Sequence, residues 1–351
     1  MAAPSLRYGA LALQVTTRSL GSAGTAEDAR RQLRANIERL AGMVAASAQL
    51  IAHTSGAAPR LVVLPEYALT GSPSPGQFAI WRARAALAPG GPEYEALGRI
   101  AQDGALYLAG NAYEADPAFP DLYFQACFII DPAGAVILRY RRIVSLYSPS
   151  PYDVLQRYLD LYGPEALFPV VDTAIGRLAA VASEEILYPE IARCHAMRGA
   201  EVLVHSTSEM GSPRPTAKDI AKRARAAENL AYVVSANAAG VSHTPLPAQS
   251  TTGMAKIVDY EGRILAAAPG GSESLAAHAE IDLEALRARR RQTGLTNVLV
   301  RQPFQAYAAS YRSVIFHAAG QLEAGGAAAE TATLREAQLR DIERLAGLGL
   351  I

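Results

Sequence analysis

The chain has 351 residues, half of them apolar and 19% charged, with 33 basic side chains against 33 acidic ones. That composition supports a large buried core and excludes global disorder, and the zero net charge argues against a nucleic-acid or membrane-surface protein, which carries a basic excess. No apolar run reaches transmembrane length; the two cysteines, Cys127 and Cys194, do not make a disulfide framework, so the cytoplasm is the expected compartment.

Residues 6–17, LRYGALALQVTT, read as a first strand rather than as a signal peptide, because no charged segment leads into a long apolar one. Residues 26–53 read as a long amphipathic helix with Leu33, Ile37, Leu40, Met43 and Val44 along one stripe. RLVVLPE (60–66) is a short apolar strand that stops at Pro65 and Glu66, and a Gly/Pro/Ser loop follows it. A helix over 92–104 leads into a strand over 105–114. Residues 123–143 form a hairpin around Asp131-Pro132-Ala133-Gly134, and a polar, aromatic connection covers 145–168.

The stretch 178–204 reads as a buried strand, an abrupt polar turn at Ser183-Glu184-Glu185, a helix and a second buried strand. Pro189 is placed to open that helix and Glu190 to sit in its first turn, where it favours the helix dipole. A basic helix near 216–230, a strand over 231–240 and a hairpin over 254–268 follow, and 278–291 reads as a strand passing into a helix. From 292 an extended segment runs to a final helix (332–346) with Leu334, Leu339, Ile342 and Leu345 on one face; the Gly/Ala stretch 318–330 before it reads as a flexible linker. Strands alternate with helices, but two hairpins interrupt the alternation. The expected architecture is therefore α/β, an α-β-β-α sandwich of mixed sheets with outer helices.

The familiar nucleotide, zinc-protease and dithiol motifs are absent, as is the G-x-S-x-G elbow, so no metal site and no cofactor is expected. Cys194 and His195 are neighbours on a helix, where successive side chains diverge by about a hundred degrees, and do not make a catalytic pair. Three strand ends do carry polar residues: Glu66, the Arg141-Arg142 pair, and Ser183. Taken singly, each has a plain explanation as a solvated acid, a strand-end charge or a helix cap. Strand ends on one rim are also where α/β proteins assemble sites.

Five blocks, LVVLPEYALTG, RYRRI, YPEIARCHAMRGAEVLV, AENLAYVVSANAAG and GMAKIVDYEGRILA, resemble in order and spacing the carbon–nitrogen hydrolase (nitrilase) superfamily, and the third is most similar to its aliphatic amidase and formamidase branch. The resemblance spans 5–315 as one domain and leaves 316–351 as a C-terminal extension. It implies a Glu-Lys-Cys triad in which the thiol attacks an amide or nitrile carbon, the Glu moves protons and the Lys stabilises the oxyanion. Carried over position by position, the Glu falls on Glu66, the Lys on Arg142 and the Cys on Ser183. Arg141 is the alternative for the Lys position, and Asp153 the weak candidate for the second acid of the amidase branch.

Both departures touch the reacting atoms. A thiol ionises near pH 8.5, whereas a serine hydroxyl needs a well-placed base. An arginine keeps the charge but cannot give up its proton, and an Arg142–Glu66 pair would occupy the proton shuttle. Thiol-type amide or nitrile hydrolysis is therefore expected to be absent or very slow. Two readings stand: an enzyme using non-standard Ser183/Glu66 chemistry, with Glu184, Glu185 and Tyr188 orienting the substrate; or a non-catalytic relative that binds a small molecule or pairs with an active subunit. The expected partners are a small amide- or nitrile-like ligand and further copies of the chain, a homo-oligomer assembled through the 189–198 helix and the tail, with no nucleic acid and no membrane.

Overall fold

The computed structural model describes residues 6–74, 77–145, 148–212, 214–322 and 331–351. The first strand is shorter than expected: β1 (Arg7–Ala12) ends early, and β2 (Thr16–Arg18) begins after a break. Gln14 sits in that break and donates to the carbonyls of Pro269 and Ser272. The break frees β2 to pair with a strand outside the main sheets. Helix α1 (Ala26–Ser55) begins where the Thr25 hydroxyl accepts from Asp28 N–H and ends at Gly56, whose φ of 84° glycine adopts without penalty. Its apolar stripe, Leu33, Ile37, Leu40 and Val44, is buried; Met43 is only partly so.

Next come β3 (Leu61–Val63), α2 (Phe78–Ala85), α3 (Pro92–Gly104), β4 (Tyr107–Asp116) and the hairpin of β5 (Phe119–Ile130) and β6 (Val136–Arg141). The connection expected over 145–168 contains a helix, α4 (Leu155–Tyr162); β7 (Val171–Thr173) and β8 (Gly176–Ala182) follow it. The elbow is a short 3-10 turn over Ser183–Leu187, then α5 (Pro189–Met197) with Pro189 in its first turn, and β9 (Val202–Thr207). Then come α6 (Ala217–Asn229), β10 (Tyr232–Asn237), β11 (Gly240–Ser242), β12 (Lys256–Val258), β13 (Ile264–Ala267), β14 (His278–Asp282) and α7 (Leu283–Arg291).

Two six-stranded mixed sheets result, ordered β14-β1-β3-β4-β5-β6 and β13-β12-β10-β9-β8-β7, with β2 and β11 as a separate pair. Side chains of a strand alternate between its faces, and both faces are apolar here. Ala10, Ala12, Leu61, Val63, Ala109, Cys127 and Ile129 join one core cluster with the second sheet; Leu11, Val62, Leu108, Phe128 and Ile130 join another with α1 and α3. The sandwich expected from the sequence is the observed one. β1, β3 and β4 run parallel, as do β8, β9 and β10. The two rims meet where Glu66 N–H donates to the Thr207 carbonyl (3.3 Å).

The C-terminal segment departs from expectation. α8 (Phe304–Ser313) forms where an extended segment was expected; it has no fully buried residue, so no apolar stripe announces it. Of the supposed linker, 318–322 is tied down, Gly320 N–H to the Tyr152 carbonyl and Leu322 N–H to that of Asp153, and 323–330 lies outside the described residues. In α9 (Thr331–Gly347), Leu345 is buried and Leu339 and Ile342 are exposed, while the side chain of Leu334 lies outside the described ones.

Candidate active site

Glu66 ends the β3 segment and is 1% exposed; Tyr67, next to it, takes a left-handed φ of 64° that a tyrosine rarely adopts. Arg142 follows β6 and is 2% exposed. Gln125, in the middle of β5, stands between them: its Nε2 donates to Glu66 Oε1 (2.6 Å) and its Oε1 accepts from Arg142 Nη1 (2.7 Å). Gln125 Nε2 also donates to Asn111 Oδ1 (3.2 Å). Arg142 Nη1 lies 3.4 Å from Glu66 Oε1, its Nε donates to the Val144 carbonyl (2.6 Å), and its Nη2 pairs with Glu184.

The guanidinium is thus divided among four acceptors instead of making a two-pronged fork to Glu66. Burial acts to lower the Arg142 pKa, but Glu184 and then Glu66 raise it above its ordinary value. The cation is fixed. Tyr67, held above its ordinary pKa by burial and by the Glu66 charge, stays a neutral phenol beside the carboxylate.

Ser183 stands at the end of β8, 5% exposed, with a φ of 45°. A non-glycine residue pays for a left-handed backbone, and such strain gathers at functional turns. Its Oγ accepts from Lys218 Nζ (3.3 Å), and Nζ also reaches Thr207 Oγ1 (3.5 Å). The Ser183 carbonyl is 2.8 Å from His205 Nε2, and His205 Nδ1 is 2.9 Å from Ser235 Oγ. A carbonyl only accepts, so Nε2 carries the proton and Ser235 donates to Nδ1. Burial pushes the His205 pKa well below its ordinary value, consistent with this neutral tautomer.

The structure brings Glu66, Arg142 and Glu184 into one ion-paired group and puts Ser183 beside Lys218 instead. Glu185, expected to orient a substrate, is engaged within the protein. Its carboxylate accepts from Tyr140 Oη (2.8 Å), Ile143 N–H (2.7 Å), Val144 N–H (3.0 Å) and Ala182 N–H (3.3 Å), so it clamps the elbow to the end of β6. Tyr188 sits partly exposed at the start of α5, its pKa raised by burial and then by Glu184.

Arg141 points elsewhere, to Glu114 (3.2 Å) and Asp116 (2.5 Å) and over the Phe124 ring, which removes it as the alternative to Arg142. Asp153 accepts from Ser150 N–H (2.8 Å) and Oγ (2.7 Å) and so caps a turn. His195 is a core histidine with ring edges against Tyr140 and Phe168, and burial lowers its pKa to about 3. Cys127 lies in the core, where burial pushes its thiol up to about 12.

Sequence reasoning missed Gln125, His205 and Lys218. Gln125 in YFQACFII and His205 in VLVHST are lone polar residues inside apolar strands, a usable signal. Lys218 on a basic helix gave none. Among the described residues no cluster suits a metal ion, and no helix is long and apolar enough to cross a membrane.

Comparison with known proteins identifies the family. The chain is 26% identical over 202 residues to the omega-amidase NIT2-A of Xenopus laevis and 25% identical to human omega-amidase NIT2, in each case over 58% of this chain and 71% of the relative. Solved structures share the fold. A carbon–nitrogen hydrolase from Helicobacter pylori G27 superposes with a TM-score of 0.63 at 20% identity, over 87% of this chain and 98% of that one. An amidase double mutant from Nesterenkonia sp. AN1, in complex with acrylamide, superposes with a TM-score of 0.58 at 18% identity, over 88% and 98%. The Carbon-nitrogen hydrolase family profile matches residues 29–291, three quarters of the chain, and the chain belongs to that family.

Proposed function

We propose that this chain is an amidase-like family member that binds a small amide- or nitrile-like ligand at this rim and hydrolyses it by the thiol route either not at all or very slowly. The observation that carries the reading is Arg142 held among Glu66, Gln125 and Glu184. A general base needs a free lone pair within reach of the proton it takes. Gln125 and Arg142 take up Glu66 Oε1 and leave only its other oxygen to act as a base, and Arg142 does not give up its proton at neutral pH. The nucleophile position implied by the family resemblance holds Ser183, while a mutant of the Nesterenkonia amidase carries the acetamide moiety of fluoroacetamide on its active-site cysteine.

A second reading, chemistry at Ser183 itself, is favoured by its left-handed backbone and by Lys218 on its hydroxyl. The test combines titration calorimetry of formamide, acetamide, propionamide and short nitriles with an assay for ammonia. Binding without ammonia supports the proposal. Ammonia release at rates typical of enzymes, about 1 per second or faster, would remove it.

A further inference from the structure

The geometry points to Lys218 as the base that activates Ser183, giving the site a serine–lysine pair suited to acyl transfer from activated esters. This rests on the reading that Ser183 occupies the nucleophile position, and it names the group that would serve it.

Two other bases stand at this rim, and neither contacts the Ser183 hydroxyl among the described residues. His205 spends Nε2 on the Ser183 carbonyl and Nδ1 on Ser235, so it supports the peptide and not the hydroxyl. Glu66 is bound to Gln125 and Arg142. Lys218 Nζ alone among the described contacts reaches Oγ. Its position is fixed by the start of α6, where Thr216 Oγ1 accepts from Asp219 N–H (3.1 Å) and Asp219 Oδ2 accepts from Thr216 N–H (3.4 Å).

Three lysines gather here. Lys222 pairs with Glu209 (2.5 Å) and Asp219 (3.6 Å), and Lys256 pairs with Asp219 (2.6 Å). Lys218 differs: among the described residues its contacts are two hydroxyls, Ser183 and Thr207. A structural lysine in this cluster would share the carboxylates as its neighbours do. Nor does Ser183 Oγ cap the turn that it begins, so its hydroxyl is not committed to holding the elbow.

The step balances without a co-reactant beyond water. The Lys218 amine takes the Oγ proton as Oγ bonds to the acyl carbon; the ester C–O bond breaks and the phenolate leaves with its electron pair. The ammonium returns its proton to the phenolate. Water then gives a proton to the amine as its oxygen attacks the acyl carbon, and the C–Oγ bond breaks with the proton passing back to Oγ. Aryl ester and water become acid and phenol. Aryl esters are the fitting substrates because a phenolate is a good leaving group that departs before it is protonated, whereas an amine leaves only after it has taken a proton.

The test incubates the protein with p-nitrophenyl acetate, follows p-nitrophenol release from pH 6 to pH 10, and maps the acetyl group by peptide mass spectrometry. The charged and titratable groups facing Lys218 are His205 on β9, Asp219 and Lys222 on α6, Glu209 on the loop before it, and Lys256 on β12. The expected results are acetyl on Ser183, a rate that climbs with pH, and loss of both in Ser183→Ala. Lys218→Met lowers the rate by about 100-fold or more, the usual contribution of a general base. Lys218→Arg keeps the charge and the donor to Oγ but cannot accept a proton. A base role predicts that it fails too; a structural role predicts that it works. Retained rate in folded Lys218→Arg, acetyl on a lysine only, or no Ser183 adduct in the wild type would each overturn the inference. None of these outcomes touches the amide result, which alone decides the preceding proposal.

Discussion

Removing the cation from the buried group should expose how much the site depends on it. In Arg142→Met, Glu66 keeps its carboxylate but loses its nearest counter-charge, 3.4 Å away. At an effective dielectric of about 20 that attraction amounts to about 5 kcal/mol before desolvation is subtracted. Taking one partner from a buried pair costs about 3–5 kcal/mol, because the remaining charge is stranded. Glu184 is partly exposed and relaxes into solvent, so the cost falls on Glu66. Urea unfolding at pH 7 measures it, and the cycle of Arg142→Met, Glu66→Gln and the double variant isolates the pair. The double variant should be more stable than the sum of the single losses by about 1.5 kcal/mol or more, since the neutral amide no longer needs a counter-charge. A single-variant loss under about 1 kcal/mol, or additivity within about 0.5 kcal/mol, would refute the idea of a buried, mutually dependent pair.

Other consequences are open to measurement. Glu185→Ala orphans the Ile143 and Val144 N–H groups and should cost about 3–5 kcal/mol in urea unfolding, and a loss below about 1 kcal/mol would mean the clamp does not hold the elbow. Ser183→Gly should be more stable than Ser183→Ala by about 1 kcal/mol, because alanine keeps the left-handed strain and glycine does not; equal stability in thermal unfolding would contradict the strain. Acidification should weaken the fold through His195. Its pKa is about 3 folded against 6.5 unfolded, so the stability it contributes is present above pH 6.5 and drains away as pH falls towards 3. Between pH 6.5 and 5 the loss is about 2 kcal/mol from this group, and His195→Leu should flatten that part of the curve. An unchanged slope in the variant would exclude His195 as the source.

Much of the scaffold was legible because period and local chemistry agree. The stripe Leu33, Ile37, Leu40 and Val44 marked α1, and the Asp131–Gly134 turn marked the β5–β6 hairpin. The break after Ala12 was not legible, since nothing in LALQVTT says that Gln14 will turn to bind the Pro269 and Ser272 carbonyls. α8 was missed because it buries no side chain and so carries no apolar period. At the site, the three strand ends were visible, but assigning Glu66, Arg142 and Ser183 to one centre needed the family resemblance. Glu184 and Glu185 are adjacent and chemically identical, yet one pairs with Arg142 while the other is buried under backbone donors. Lys218 lies 35 residues from Ser183, and only the packing of α6 against the elbow joins them.

The measurement that bears most directly on the proposal that the thiol route has been lost is ammonia release from short aliphatic amides by the purified wild type, with Glu66→Gln as the control. The account predicts ammonia release absent or far below about 1 per second in the wild type, and no different in Glu66→Gln, because Glu66 Oε1 is already engaged and Ser183 has no thiol. Steady turnover in the wild type that Glu66→Gln abolishes would show Glu66 acting as a working base, and would contradict it.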